Sequence, residues 1–227
     1  ADSGPGTLRD AISIANNNGT TVLDSIVFNI PSSTEAGRTI SLQSEFPVLS
    51  SNIIIDGSTQ PSTVLGISGA KITLYLDHFT AVPFNFLFIN NASNVKIFGL
   101  CFRYFDNPDA GSGFHYAIVL RNSRDITIGA PGKGNLFSLV RAAITNNYWN
   151  YYSDSIRNLT VQGNVFGLNS QNNIAHRGYI ELIRATNITI GGPTPEEGNV
   201  FVGTGVQVSQ TGAVNSAFFL KFQNNKF

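Results

Sequence analysis

The sequence predicts an all-β chain that folds as a right-handed parallel β-helix, a solenoid with coils of 29–33 residues. Three observations support this prediction: a recurring strand-like triplet, an Asn-x-Phe motif that recurs with it, and the lack of helical patterns between the copies. Only 12% of the 227 residues are charged, against about 25% in typical globular domains. A chain poor in charge and rich in Asn, Gly and Phe is typical of short strands joined by tight turns.

The triplet consists of an apolar, a polar and a second apolar residue. This period-two alternation is typical of a strand with one buried and one exposed face. The second apolar residues are separated by 31, 33, 29 and 32 positions, and they are Ile97, Ile128, Val161, Ile190 and Phe222. Because no helical pattern separates the copies, each is predicted to belong to one coil of a solenoid, with its strand stacked in parallel about 4.8 Å from the next.

Two further columns recur with the triplet. The Asn-x-Phe motif places Asn at 135, 164, 199 and 225 and Phe at 137, 166, 201 and 227. Stacked Phe rings would fill the interior of the solenoid, and stacked Asn side chains would form a hydrogen-bonded ladder. A third column precedes the triplets and consists of Asn94, Asp125, Asn158 and Asn187. Since Asn and Asp tolerate the left-handed backbone that sharp corners need, we interpret all three columns as structural.

Residues 1–20 are predicted to be an N-terminal cap, and residues 21–227 a parallel β-helix that continues beyond the C-terminal end. Thr7 is a candidate helix N-cap, with Asp10 at the capping-box position. The apolar residues that follow fall on one helical face and are Leu8, Ala11, Ile12 and Ala15. An uncovered solenoid end exposes unpaired backbone and apolar core, so we favour a cap over the alternative, a surface helix of a mixed domain.

Composition argues against several classes of partner. The net charge is zero and no basic run occurs, which argues against binding to nucleic acid. No apolar run approaches the ~20 residues of a membrane span. The single cysteine, Cys101, lies in the apolar context FGLCF and is predicted to be a buried core thiol. No cofactor is predicted.

We find no catalytic motif in the sequence. Polysaccharide hydrolases need paired carboxylates on one face, and lyases need carboxylates for Ca²⁺ together with a basic residue. The acidic residues are dispersed, and the adjacent pair Glu196–Glu197 lies in a turn insertion that reads as solvated surface. Asp56, before Gly57, is interpreted as a turn cap. Asp106 and Asp109 are candidates for binding Ca²⁺, although the established Ca²⁺-loop patterns are absent.

The ligand-binding candidates lie in the aromatic segment NNYWNYYSD and are Tyr148, Trp149, Tyr151 and Tyr152. Aligning Ile144 with Val208 makes this loop about three residues longer than its counterpart after Val208. Additional residues in a solenoid coil go to loops on one face, often the binding face. Aromatic rings with polar partners suit glycan stacking or protein anchoring. The alternative is that the rings pack flat on the lateral sheet.

The motifs resemble a family of large, secreted or surface-exposed bacterial β-helix proteins. Repeats of that family look like "GNVISGN…GI.I…NNTIGG", and its N-terminal segment looks like "DSGPGSLRQAI…DTI.F.IP…IDGSTQPG". The matching stretches here are residues 2–11, 24–31, 55–61 and 158–201. The resemblance implies a β-helix and an extracellular location. It also implies an adhesin-like or other non-catalytic role, and an origin among type IX-secreting bacteria.

The leading hypothesis is therefore a non-catalytic, adhesin-like or stalk segment of a large secreted or cell-surface protein, with a polysaccharide or another surface protein as its partner. Some β-helices related to the resembled family are polysaccharide lyases or hydrolases. The alternative is accordingly a polysaccharide-active enzyme whose site lies outside this segment or on its lateral wall. A third reading is a passive spacer, because a fold alone does not assign an activity.

Overall fold

The computed structural model describes residues 2–76, 83–104, 115–147, 155–175, 177–209 and 219–227. They form a helix, α1 (Leu8–Asn17), and short 3₁₀ turns at Ala36–Arg38, Gly57–Thr59 and Pro195–Glu197. In chain order the strands are β1 (Asp24–Val27), β2 (Thr39–Ser41), β3 (Ile53–Asp56), β4 (Ile72–Leu76), β5 (Phe84–Asn90), β6 (Ser93–Phe98), β7 (Leu100–Tyr104), β8 (His115–Arg121), β9 (Ser123–Ile128), β10 (Leu136–Ser138), β11 (Ala142–Thr145), β12 (Ile156–Val161), β13 (Val165–Phe166), β14 (Tyr179–Ile183), β15 (Ala185–Gly191), β16 (Val200–Phe201), β17 (Val206–Ser209) and β18 (Leu220–Gln223).

The strands form three parallel sheets that run along the molecule. Sheet A has the order β1-β3-β6-β9-β12-β15-β18, sheet B the order β2-β4-β7-β10-β13-β16, and sheet C the order β5-β8-β11-β14-β17. Consecutive strands of the chain therefore belong to different sheets, and each strand pairs with its equivalent one coil away. Five coils, from β3 to β17, contribute one strand to every sheet. This arrangement confirms the predicted parallel β-solenoid.

The predicted column of apolar residues in sheet A is confirmed. Its neighbouring members are direct cross-strand partners, in the order Ile97, Ile128, Val161, Ile190 and Phe222. The first four are completely buried, whereas Phe222, on the last strand, is 42% exposed. The column is the inward face of the sheet, and the residue between the two apolar positions of each triplet faces outward.

The same column continues toward the N-terminus, where the sequence analysis did not find it. Ile26 pairs with Ile55, and Ile55 pairs with Ile97. Ile55 and Ile97 are 42 positions apart, because a long segment intervenes between β3 and β4. Part of that segment packs against the outside of sheet B, where Leu65 joins a small apolar cluster with Cys101. Cys101 is thus a buried thiol, as predicted.

The interior Asn ladder is also confirmed. From the second member onward, each side-chain Oδ1 accepts hydrogen bonds from the backbone N–H and the Nδ2–H of the Asn one coil earlier, at 2.9–3.0 Å. The Oδ1 of the first member, Asn135, accepts from the backbone N–H of Leu100 at 3.0 Å. The members are Asn135, Asn164, Asn199 and Asn225. Each Nδ2 also donates, at 2.8–3.0 Å, to a strand carbonyl of the preceding coil. The ladder therefore satisfies polar groups inside the solenoid, which would otherwise be costly to bury.

Phe rings stack beside this ladder. The centroids of successive rings lie 4.6–5.2 Å apart and the rings are within 12° of parallel. The stack comprises Phe102, Phe137, Phe166, Phe201 and Phe227. Phe102 lies in a coil that lacks the Asn, so the motif search missed it, and Phe86 meets it edge-on at 5.9 Å.

The third column forms the corner that precedes each sheet A triplet. All four predicted members have left-handed backbone, with φ of 55–57°, and Asn52 adds a fifth at 61°. Each Nδ2 donates to the Oδ1 of the residue one coil earlier, from Asn94 to Asn52, from Asn158 to Asp125 and from Asn187 to Asn158, at 2.6–2.7 Å. Asp125 cannot donate the equivalent hydrogen bond to Asn94 Oδ1, because a carboxylate carries no N–H.

We expect Asp125→Asn to stabilise the protein by about 0.5–1 kcal/mol, since it supplies the missing donor at a position whose φ suits Asn. The bond from Asn158 to residue 125 is retained. Chemical denaturation of the four proteins of a double-mutant cycle with Asn94→Gly measures the effect. If Asp125→Asn stabilises equally in the Asn94→Gly background, the added ladder step is not the cause.

The N-terminal helix packs on the first coil. The side chain of Thr7 accepts a hydrogen bond from the backbone N–H of Asp10, which confirms Thr7 as the N-cap. The carboxylate of Asp10 accepts from Gly6 N at 2.9 Å, one residue earlier than a capping box requires. Leu8, Ile12 and Ala15 are buried in the main core, so α1 covers apolar residues at this end of the solenoid.

Asp56 caps the turn that follows β3, as predicted. Its Oδ1 accepts from the backbone N–H of Ser58 at 3.0 Å, and its Oδ2 lies 2.8 Å from Lys133 Nζ. Burial alone would raise the pKa of Asp56. The hydrogen bonds from Lys133 and Ser58 and the charge of Lys133 outweigh that effect, so the pKa of this carboxyl lies below its usual value.

A carboxyl whose pKa is lower in the folded state than in the unfolded chain stabilises the fold above its unfolded pKa, about 3.9, and loses that contribution as pH falls through the folded value. We therefore expect Lys133→Met to reduce stability at pH 7 and to have little effect near pH 2. Thermal unfolding across this range tests the expectation. An equal loss at every pH would show that Lys133 acts through its cation–π contact with the Phe98 ring rather than through Asp56.

Candidate functional site

The residues that the sequence singled out for binding lie outside the described residues. Tyr148, Trp149, Tyr151 and Tyr152 belong to this group, as do the Ca²⁺ candidates Asp106 and Asp109. Their roles stay predictions. The structure does describe both ends of the aromatic loop, together with the strands on either side of it.

The structure corrects the alignment used for this loop. Ile144 pairs with Ile180, which pairs in turn with Val206 rather than Val208. The alignment was wrong by two residues. The pairing of β11 with β14 is also irregular, because a β-bulge places one additional residue between the paired positions Ala142 and Ile144. A bulge shifts the strand in a way that alternation along one chain does not reveal.

With the corrected register the loop is one residue longer than its counterpart after Val206, not three: Ile144 precedes Leu159 by 15 residues, and Val206 precedes the equivalent Leu220 by 14. It is nevertheless much longer than the same corner in the two flanking coils. We measure this corner from a paired residue of sheet C to the first paired residue of the next strand in sheet A. In the coil with the insertion, these residues are Ile144 and Ile156, which are 12 positions apart. In the coils before and after, Ile118 precedes Ser123 by 5 residues and Ile180 precedes Ala185 by 5. The insertion is therefore 12 − 5 = 7 residues longer than the same corner in both flanking coils. It joins sheet C to sheet A.

The first end of the insertion is fixed to sheet C. Asn146 is 3% exposed, and its side-chain amide makes two bonds to the backbone of Ile183, Nδ2 to O at 2.6 Å and N to Oδ1 at 2.7 Å. Asn147 Nδ2 donates to Glu181 Oε1 at 2.9 Å. These contacts hold Asn146 and Asn147, which follow β11, against β14.

The outer face of sheet C beside this base carries a group of polar and aromatic side chains. Tyr116, Ala142 and Tyr179 lie in one cross-strand column. Because Ala142 is small, the two tyrosines are separated by a gap one coil wide. The guanidinium of Arg141 extends between them, with Nε 3.3 Å from Tyr179 Oη and Nη1 3.5 Å from Tyr116 Oη. Glu181 lies in the neighbouring outward column.

We call Tyr116, Arg141, Tyr179 and Glu181 the sheet C cluster. Tyr116 is buried, whereas the other three are half-buried. Aromatic faces next to a guanidinium, a carboxylate and amides are the groups that combine stacking with hydrogen bonding to a polar, non-ionic ligand. Sequence reasoning missed this cluster because Arg141 lies 25 and 38 positions from the two tyrosines, and only the correct sheet C register brings them together.

No protein-family model, curated protein or solved structure matches the chain significantly. Across the described ranges, no group of three or more His, Cys, Asp or Glu side chains is arranged to hold a metal ion. Within the same ranges, no helix is both long and apolar enough to span a membrane. The geometry of the sheet C cluster is therefore the main guide to function.

Proposed function

We propose that this chain is a non-catalytic β-solenoid segment of a large secreted or cell-surface bacterial protein. In this role it acts as an adhesin-like stalk and binds a glycan on the outer face of sheet C. The observation that carries the proposal is the sheet C cluster beside the anchored seven-residue insertion. Solenoid coils bury the residues that repeat, so side chains that break the repeat on one outer face are available for a partner.

The cluster suits a neutral sugar chain better than a charged ligand. It combines two tyrosines with one guanidinium, and it places Glu181 nearby. Saccharide rings offer apolar faces for stacking and hydroxyls that both donate and accept hydrogen bonds. Trp149 and Tyr151, which the sequence predicts as ligand-binding residues, follow Asn147 by two and four positions in the chain. Parallel coils about 4.8 Å apart also give a long flat surface, which fits an extended polymer.

The test is binding of the full chain to an array of cell-surface and cell-wall polysaccharides, followed by calorimetry with the ligand that is found. We expect Tyr179→Ala to weaken binding at least tenfold, about 1.4 kcal/mol, because it removes the half-buried ring of the cluster. Thr160→Ala is the matched control, since Thr160 faces outward on sheet A. Unfolding curves of both variants establish that the fold is intact.

The proposal fails if no glycan binds, or if Thr160→Ala weakens binding as much as Tyr179→Ala. Its non-catalytic part is tested separately by incubating the chain with the bound polysaccharide. New reducing ends would indicate a hydrolase and unsaturated products a lyase, and either result would overturn that part.

A further inference from the structure

The outer face of sheet A carries an excess of positive charge, although the whole chain is neutral. The strands β6, β9, β12, β15 and β18 contain four basic residues and one acidic residue, so their net charge is 4 − 1 = +3. The basic residues are Lys96, Arg124, Arg157 and Lys221, and the acidic residue is Asp125. All five are half-buried or exposed. This face therefore presents a positive surface to solvent.

Two of these cations, Arg124 and Arg157, are direct cross-strand partners. Parallel strands lie about 4.8 Å apart, and like charges directly opposite each other destabilise a sheet. Arg124 Nε lies 3.6 Å from Asp125 Oδ2, but both side chains are exposed, so this ion pair contributes little. Among the described residues, none makes a hydrogen bond or an ion pair with the Arg157 side chain. The two arginines thus repel each other with little compensation from this part of the chain.

We propose that the outer face of sheet A binds an anionic polysaccharide, with a carboxylate or sulfate group held between Arg124 and Arg157. A guanidinium binds such a group through two parallel hydrogen bonds, and an anion between the two guanidinium groups offsets their repulsion. Lys96 lies one coil before the pair and Lys221 two coils after it. The positive charges therefore continue along the solenoid axis, as binding of an extended polymer requires.

The side chains next to the arginine pair favour a polysaccharide over other anionic partners. The neighbouring outward column consists of Thr127, Thr160 and Thr189 between the two lysines. Proteins that bind single-stranded nucleic acid stack the bases on aromatic rings, and binding to a membrane surface needs an apolar face beside the cations. This column is polar and carries no ring. A hydrophilic polymer with spaced acidic groups fits it better.

The test measures binding of the full chain to three polymers by calorimetry: polygalacturonate, dextran sulfate and neutral dextran. We expect saturable binding to at least one of the two anionic polymers and none to neutral dextran. The polymer that binds more tightly identifies the anionic group as carboxylate or sulfate. Binding should weaken about tenfold or more between about 50 and about 500 mM NaCl, because salt screens exposed charges.

Single-charge variants locate the site. Arg157→Gln should weaken binding about tenfold, and Arg157→Lys should restore part of it, since it keeps the charge but not the paired hydrogen bonds. Lys226→Gln is the matched control, because it removes one charge beside sheet B, and it should change binding by no more than about twofold. Tyr179→Ala should have no effect, which separates this inference from the proposed glycan site on sheet C.

Thermal unfolding without polymer distinguishes binding from a structural role. Arg157→Gln should melt at the same temperature as the unchanged chain or slightly above it, because the substitution relieves the repulsion from Arg124. The inference is overturned if neither anionic polymer binds, if Lys226→Gln weakens binding as much as Arg157→Gln, or if Arg157→Gln destabilises the fold. Equal or tighter binding to oligothymidylate or to phosphatidylserine vesicles would identify a nucleic acid or a membrane as the partner and would also overturn it.

Discussion

Ile128→Asp is expected to prevent cooperative folding of the solenoid. Ile128 is completely buried and pairs with Ile97 on one side and Val161 on the other. The substitution removes an apolar side chain from the centre of sheet A and puts a carboxylate where no cation is available in the column. An unpaired buried charge costs several kcal/mol, in addition to the roughly 2–5 kcal/mol of a large-to-small core change. The total is comparable with the 5–15 kcal/mol stability of a typical domain.

Circular dichroism and urea denaturation measure this effect, with Thr127→Asp as the matched control. Thr127 is the outward-facing residue of the same triplet, so its replacement should change stability by no more than about 0.5–1 kcal/mol. If Ile128→Asp retained a cooperative transition close to that of Thr127→Asp, Ile128 would not lie in a dry interior.

Asn164→Ala is expected to cost about 3–5 kcal/mol, because it opens the interior ladder in the middle. The change leaves Asn135 N–H without its acceptor and Ile128 O without its side-chain donor. The Asn135 N–H is buried and left unsatisfied, at a cost of about 1–3 kcal/mol, whereas Ile128 O keeps the hydrogen bond that it accepts from Gln162 N. The lost bond from Asn164 Nδ2 to Asn199 Oδ1 adds to this.

Asn173→Ala is the control for this loss. Asn173 is exposed, and the hydrogen bonds that it makes use its backbone atoms, so we expect a change below about 0.5 kcal/mol. Urea midpoints of the two variants give the comparison, and hydrogen exchange shows where the ladder opens. A loss of less than about 1 kcal/mol for Asn164→Ala would mean that water replaces the ladder bonds at little cost.

The sequence alone determined the last five strands of sheet A and the interior columns that accompany them. Alternation within each triplet selects an inward and an outward face. The spacing of Ile97, Ile128, Val161 and Ile190 identifies successive coils as stacked copies. These features depend on local backbone preferences and on burial of one side of each strand, and both are visible in a short stretch of sequence. The Asn and Phe columns were predictable for the same reason, since each coil repeats them at one position.

Tertiary structure decided where the regular spacing fails. The coil from Ile55 to Ile97 is 42 residues long, and its additional segment packs on the outside of sheet B instead of lengthening a strand. No local pattern specifies that packing, because it depends on apolar residues of other coils such as Cys101 and Leu136. The first two strands of sheet A were therefore found only from the fold.

The candidate site depended on tertiary structure even more. The bulge between Ala142 and Ile144 moves the register of β11, and this shift decides which side chains meet on the outer face of sheet C. Only with that register does Arg141 lie between Tyr116 and Tyr179, which belong to three consecutive coils. A periodic pattern in the sequence identifies the positions that are buried in every coil. The position of an unrepeated side chain on the outer surface depends instead on how each strand is paired with its neighbours, and only the folded chain fixes that pairing.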